Sequence, residues 1–183
     1  MNLCHLACVV FIGSLAASFG GDSALNTPAK HDDITPESLI RSVANFEFEL
    51  NSQRQEPESF LRRRRGDCDD FASLANQLLT ERGYKTKLVV VMMDQQSHVV
   101  CYVPEAHGFL DFNHRADVRP VVACEGTLKD IANRVAKDFR SRWQLASEFR
   151  YEKGSPIYIQ NVFPLSTEPE KVVAASAIKY SAP

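Results

Sequence analysis

Residues 66–93 read GDCDDFASLANQLLTERGYKTKLVVVMM. The period changes in the middle of this stretch. Cys68, Phe71, Ala72, Ala75, Leu78 and Leu79 recur at three- and four-residue spacing, which gathers them on one face of a helix, and Gly83 supplies the left-handed conformation that ends one. Lys87 to Met93 is a β-branched run suited to a central strand. A helix followed directly by a buried strand sets the pattern for the rest. Ser97–Val103 (SHVVCYV) and Gly108–Asn113 (GFLDFN) predict two further strands turning at Pro104–His107.

Upstream, Thr35-Pro36-Glu37 is a helix start, and Leu39, Ile40, Val43, Phe46 and Leu50 give one apolar face to a helix over 37–52. Residues 53–65 read as a polar connection. Downstream, Leu128, Ile131, Val135 and Phe139 mark a helix over 127–139, and 142–151 and 156–163 flank the Gly154-Ser155 turn as a hairpin that includes Trp143, expected in the core. Helices preceding a mostly antiparallel sheet make the class α+β. The domain spans 37–163, with residues 22–36 as a linker and 164–183 as a loose tail.

The first 21 residues differ in character. The run LCHLACVVFIGSLAASF at 3–19, followed by small residues, has the profile of a secretory signal peptide. No Lys or Arg precedes it, so an uncleaved anchor is the alternative. Either reading puts the domain in the periplasm or outside the cell. The formal charge of -2 leaves no basic footprint for a nucleic acid. Once Cys4 and Cys8 are set aside with the leader, Cys68, Cys101 and Cys124 remain, an odd number in an oxidising compartment.

Cys68 opens its helix, where free amides and the positive end of the dipole favour a thiolate and an incipient oxyanion. Asp67, Asp69 and Asp70 oppose that ionisation, so an activating cation must come from elsewhere. A buried thiol beside an Asp cap is the plainer reading of this stretch taken alone. His98 is the candidate base. It shares a strand face with Val100 and Tyr102, and if 104–107 form a four-residue loop Val103 pairs with Gly108. Asp111 then lies across from Val100, diagonal to His98 on the same face; a two-residue turn would set it directly opposite His98, and an odd loop without a bulge would put it on the wrong face. A carboxylate among Phe109, Leu110 and Phe112 needs a partner, and orienting an imidazole would supply one.

The order GDCDD at a helix start, a glycine after the helix, SHVVCYV, then GFLDFN resembles the transglutaminase-like superfamily, most closely its bacterial cysteine peptidases. The resemblance implies a papain-like core, N-terminal helices packed on an antiparallel sheet, with Cys68, His98 and Asp111 as a catalytic triad acting on a protein or peptide. It leaves hydrolysis and amine transfer to glutamine open, along with a non-catalytic module that keeps the fold. Relatives suggest a side-chain oxyanion donor upstream, for which Gln53 and Gln55 are candidates, and some depend on calcium. For Asp69 and Asp70, simple stabilisation of the helix start is preferred, and no cofactor is expected. Asn113 and His114 read as a solvated strand end and Arg62–Arg65 as a solvated loop. A Cys101–Cys124 disulfide is left open.

Overall fold

The computed structural model describes residues 34–165. The leader at 1–21, most of the 22–36 linker and residues 166–183 of the tail lie outside the described residues. Within them the α+β expectation holds.

Helix α1 (Pro36–Ser42) begins with a reciprocal cap, Thr35 Oγ1 accepting from Ser38 N–H and Ser38 Oγ from Thr35 N–H. It stops well short of residue 52. The chain instead turns after Val43 and extends as β1 (Glu47–Phe48), parallel to β2 (Arg65–Gly66). Leu39, Ile40, Val43 and Phe46 are buried as expected, but Leu50 is 79% exposed. Tertiary hydrogen bonds outweigh the helical period here: the N–H groups of Asn51 and Gln55 bind the carboxylates of Asp67 and Asp70, and a continuous helix would have spent the first of them internally.

The expected connection at 53–65 contains helix α2 (Pro57–Arg63), with Pro57 at its first position. Its fully buried side chain is Phe60, whose ring centroid lies 5.3 Å from that of Phe46 and 5.7 Å from that of Phe112. One apolar anchor in seven residues gives no period to detect. Helix α3 (Cys68–Glu81) follows and buries Phe71, Ala72, Leu74, Ala75 and Leu79.

The main sheet contains β3 (Lys87–Met93), β4 (Ser97–Val103), β5 (Gly108–Leu110), β6 (Val121–Ala123), β7 (Trp143–Glu152) and β8 (Ser155–Val162), in the order β6-β5-β4-β3-β7-β8 with neighbours antiparallel. Helix α4 (Leu128–Asp138) precedes β7. Strand alternation divides the core. Leu88, Cys101, Val103 and Leu110 pack with α1, α2 and α3, whereas Val89, Val91, Val100, Tyr102 and Phe109 pack with Leu128, Ile131 and Val135 of α4. Cys101 and Cys124 belong to opposite faces of the sheet, and both are free thiols. The disulfide left open by the sequence is not formed. Trp143 is core as expected, its indole N–H donating to Asn133.

The third strand is shorter than its sequence suggested. β5 ends at Leu110, and Asp111 starts a 3₁₀ turn over Phe112–His114 by accepting the Asn113 N–H. A side-chain acceptor two residues before a free amide competes with the ladder and ends it. Among the described residues no helix is long and apolar enough to cross a membrane.

Candidate active site

Cys68 is the first residue of α3 and half-buried. Its amide therefore has no acceptor within the helix. Asp67 is the N-cap and forms a capping box with Asp70, whose Oδ2 accepts the Asp67 N–H at 3.2 Å. Asp70 is fully buried and has further donors in Gln55 N–H, Gln55 Nε2 (2.7 Å) and Asn51 Nδ2 (3.3 Å). This knot explains the glycine before it. A Cβ on Gly66 would stand 2.7 Å from the Phe60 ring, 2.8 Å from Gln55 Nε2, and closer still to the Asp70 carboxylate.

His98 and Asp111 meet on the α4 side of the sheet. β4 and β5 pair with Val103 opposite Gly108 and Cys101 opposite Leu110, the expected register. Continuing it one step sets Asp111 across from Val100 and diagonal to His98. His98 Nε2 bonds Asp111 Oδ1 at 2.9 Å, and the same oxygen accepts the Asn113 N–H at 2.8 Å. His98 is 4% exposed and Asp111 1%.

The Cys68 sulfur lies within interaction range of the same imidazole. With Nε2 committed to Asp111, Nδ1 is the ring nitrogen left to face it. Burial opposes a charge on His98, but the bond to Asp111 and the contact with Cys68 outweigh it and raise the ring to about 10. The structure thus brings together the three residues singled out in the sequence. It adds Phe139, whose ring centroid is 4.8 Å from that of His98. The sequence showed Phe139 only as the last apolar residue of a helix.

Residues 30–118 match the profile of the family described as the transglutaminase-like superfamily. That segment is of transglutaminase-like type. The matched segment contains Cys68, His98 and Asp111. No curated protein matches the chain.

In this transglutaminase-like domain the carboxylates around Cys68 are not three equivalent charges. Asp67 Oδ1 and Asp69 Oδ1 are buried without a hydrogen-bond donor. Burial, then the neighbouring Asp67 and Asp70, push the Asp69 carboxyl up to about 8. At neutral pH Asp69 holds a proton that can be shared with Asp67, which removes one negative charge from beside the thiol. Ligand oxygens of Asp67, Asp69 and Asp70 lie within 4.8 Å of one another. The open Asp67–Asp69 pair also fits a hard divalent cation such as calcium, which takes carboxylate oxygens. Asp70, wrapped by four donors, serves chiefly as the second member of the capping box.

Other candidates have different occupations. Gln55 donates to Asp70 and to the Arg65 carbonyl (3.0 Å) and accepts from Arg63 (2.6 Å), so its amide is not directed at Cys68. Gln53 is exposed. The arginine run is exposed and mainly structural. Arg63 also bonds Glu49 at 2.8 Å, Arg65 pairs with Glu47 and Glu49, and Arg64 lies over the Phe46 ring. These contacts fasten the 47–55 segment to α2. His114 joins Asp117 (2.7 Å) and Asp138 (3.1 Å), and Asn113 is exposed, in keeping with a solvated strand end. On the other flank of Cys68, Arg54 stacks on Tyr151 of β7 at 4.4 Å and acts electrostatically on Asp69.

Proposed function

We propose that Cys68, His98 and Asp111 form a thiol-nucleophile triad that hydrolyses a peptide or amide bond in a protein or peptide substrate. The observation that carries this reading is the buried His98, bonded to Asp111 at 2.9 Å and raised to about 10 with Cys68 beside it. An imidazole that holds its proton so firmly favours a thiolate–imidazolium pair at neutral pH.

In this mechanism the Cys68 thiolate attacks the carbonyl carbon, forming a C–S bond as the carbonyl π electrons move to oxygen. The Cys68 amide, at the first position of α3 and without an acceptor inside the helix, is available to donate to that oxyanion. Collapse breaks the C–N bond, and the departing nitrogen takes the proton from His98. Neutral His98 then draws a proton from water, whose oxygen attacks the thioester and releases the acid and the thiolate. A primary amine entering in place of water would give transamidation, with the same acyl-enzyme. No cofactor is needed in either half. The apolar run at 3–19 supports an exported, periplasmic or secreted setting for this chemistry.

Iodoacetamide labelling of Cys68 across pH, in wild type and in His98→Ala, tests the pair. Labelling should persist to well below pH 8.5, the ordinary thiol range, in wild type and shift upward in the variant. A midpoint at the ordinary value in both proteins would overturn the proposal. Mass spectrometry of a glutamine peptide offered with a primary amine separates the second halves: cleavage or deamidation alone indicates hydrolysis, and an amine adduct indicates transfer.

A further inference from the structure

A groove of about 650 Å³ runs between the β3–β4 turn and the α4–β7 turn, lined by Asp94, Gln95, Gln96, Phe139, Arg140 and Arg142 among others. Its volume falls in the range of ligand-binding clefts. Two links join it to His98. Gln96 precedes that residue by two positions at the entry to β4, and Phe139, which forms part of the groove wall, packs its ring against the imidazole.

The charges in the groove are unequal. Asp94 is occupied by Arg142 at 3.3 Å and by Gln144 at 3.1 Å. Arg140 is exposed, has φ of 50° just past the end of α4, and makes no ion pair among the described residues. The groove therefore presents one guanidinium without an ion pair among the described residues, together with the amides of Gln95 and Gln96 and the ring of Phe139. Such a lining suits an extended chain bearing a carboxylate, because Arg offers planar paired donors to that group.

The direction of the chain follows from the triad reading, on which this step rests. Acyl carbon stays on Cys68, and the leaving nitrogen must come within hydrogen-bond reach of His98. The portion that departs with the amine consequently lies on the His98 side, where the groove is. We infer that this groove is the leaving-group subsite and selects substrates with Asp or Glu in the few residues after the cleaved bond.

The test uses the full chain carrying Cys68→Ala, so that binding is read without turnover, and fluorescein-labelled degenerate decapeptide pools enriched in Asp/Glu, Asn/Gln or Lys/Arg. Fluorescence polarisation should show the acidic pool binding about fivefold more tightly than the neutral one, the upper end of what one exposed charge pair contributes. Adding Arg140→Asn should erase that preference, and Arg140→Asp should reverse it toward the basic pool. Asn and Asp both tolerate the left-handed backbone at this position, and circular dichroism checks that each variant folds. Equal binding of acidic and neutral pools, or a preference that survives Arg140→Asp, would overturn the subsite. Failure of the wild type to cleave any pool while the Arg140-dependent preference persists would instead remove the hydrolase reading and leave the acidic-peptide site standing.

Discussion

His98 and Asp111 are joined by a 2.9 Å bond between two side chains that are both almost wholly withdrawn from water. In such surroundings the carboxylate fixes the ring's orientation and stabilises its charged form. Asp111→Asn keeps the shape and removes the charge. The pH midpoint of Cys68 alkylation should move upward, and any peptide hydrolysis should fall on the order of 10²–10⁴-fold. An unchanged alkylation profile would show that Asp111 does not tune the imidazole.

Gly66 is a packing requirement of the Gly-Asp-Cys sequence. The space of its missing Cβ is bordered by Asp70 and Phe60, both fully buried, and by the Gln55 amide, which is held by Asp70 and the Arg65 carbonyl. Gly66→Ala should destabilise the domain by about 1–3 kcal/mol, the usual cost of overpacking. Urea unfolding measures this. A variant as stable as wild type would mean that the knot at the start of α3 relaxes freely.

The pairs of residues brought together here differ in how openly the sequence announced them. Strand alternation placed Asp111 diagonal to His98 on the condition of a four-residue loop, which the observed register meets, because register in a short antiparallel hairpin is local. The position of Cys68 at the first turn of α3 was equally legible from its cap and apolar face. Residues 47–63 were not. There Leu50 continued an apolar period, but the backbone was committed to Asp67 and Asp70, residues distant in sequence whose burial no local pattern reveals. Phe139 against His98 was hidden for a related reason: a helix-end aromatic looks the same whether it meets aliphatic core or an imidazole. The arginine run, conspicuous in sequence, is largely tied to Gln55, Glu47 and Glu49.

Asp70 holds the cysteine end of α3 to the preceding segment through four donors, from Gln55, Asn51 and Asp67. Asp70→Ala takes the acceptor from the Asp67 and Gln55 backbone N–H groups and leaves the Gln55 and Asn51 amides only their bonds to the Arg65 and Glu49 carbonyls, a larger loss than one net hydrogen bond. Thermal and urea unfolding should report a deficit of roughly 3 kcal/mol or more. Cys68 alkylation should lose its low-pH activity at temperatures where the variant is still folded, since the helix start that positions the sulfur is loosened. Wild-type alkylation in a destabilised but folded variant would separate the cap from the chemistry.

Asp69 sets a pH dependence whose sign can be worked out. Its carboxyl is raised from 3.8 to about 8, first by burial and then by the adjacent Asp67 and Asp70. Between these values the folded protein keeps a proton that the unfolded chain has released, so stability falls as pH rises through the window and levels off above about 8. Asp69→Asn removes the penalty without removing the polar group. The variant should match wild type near pH 4 and melt higher than wild type at pH 8, with the difference growing between those points. Melting curves that separate toward acid instead would assign the buried proton to another group, and parallel curves at every pH would show Asp69 to be ionised throughout.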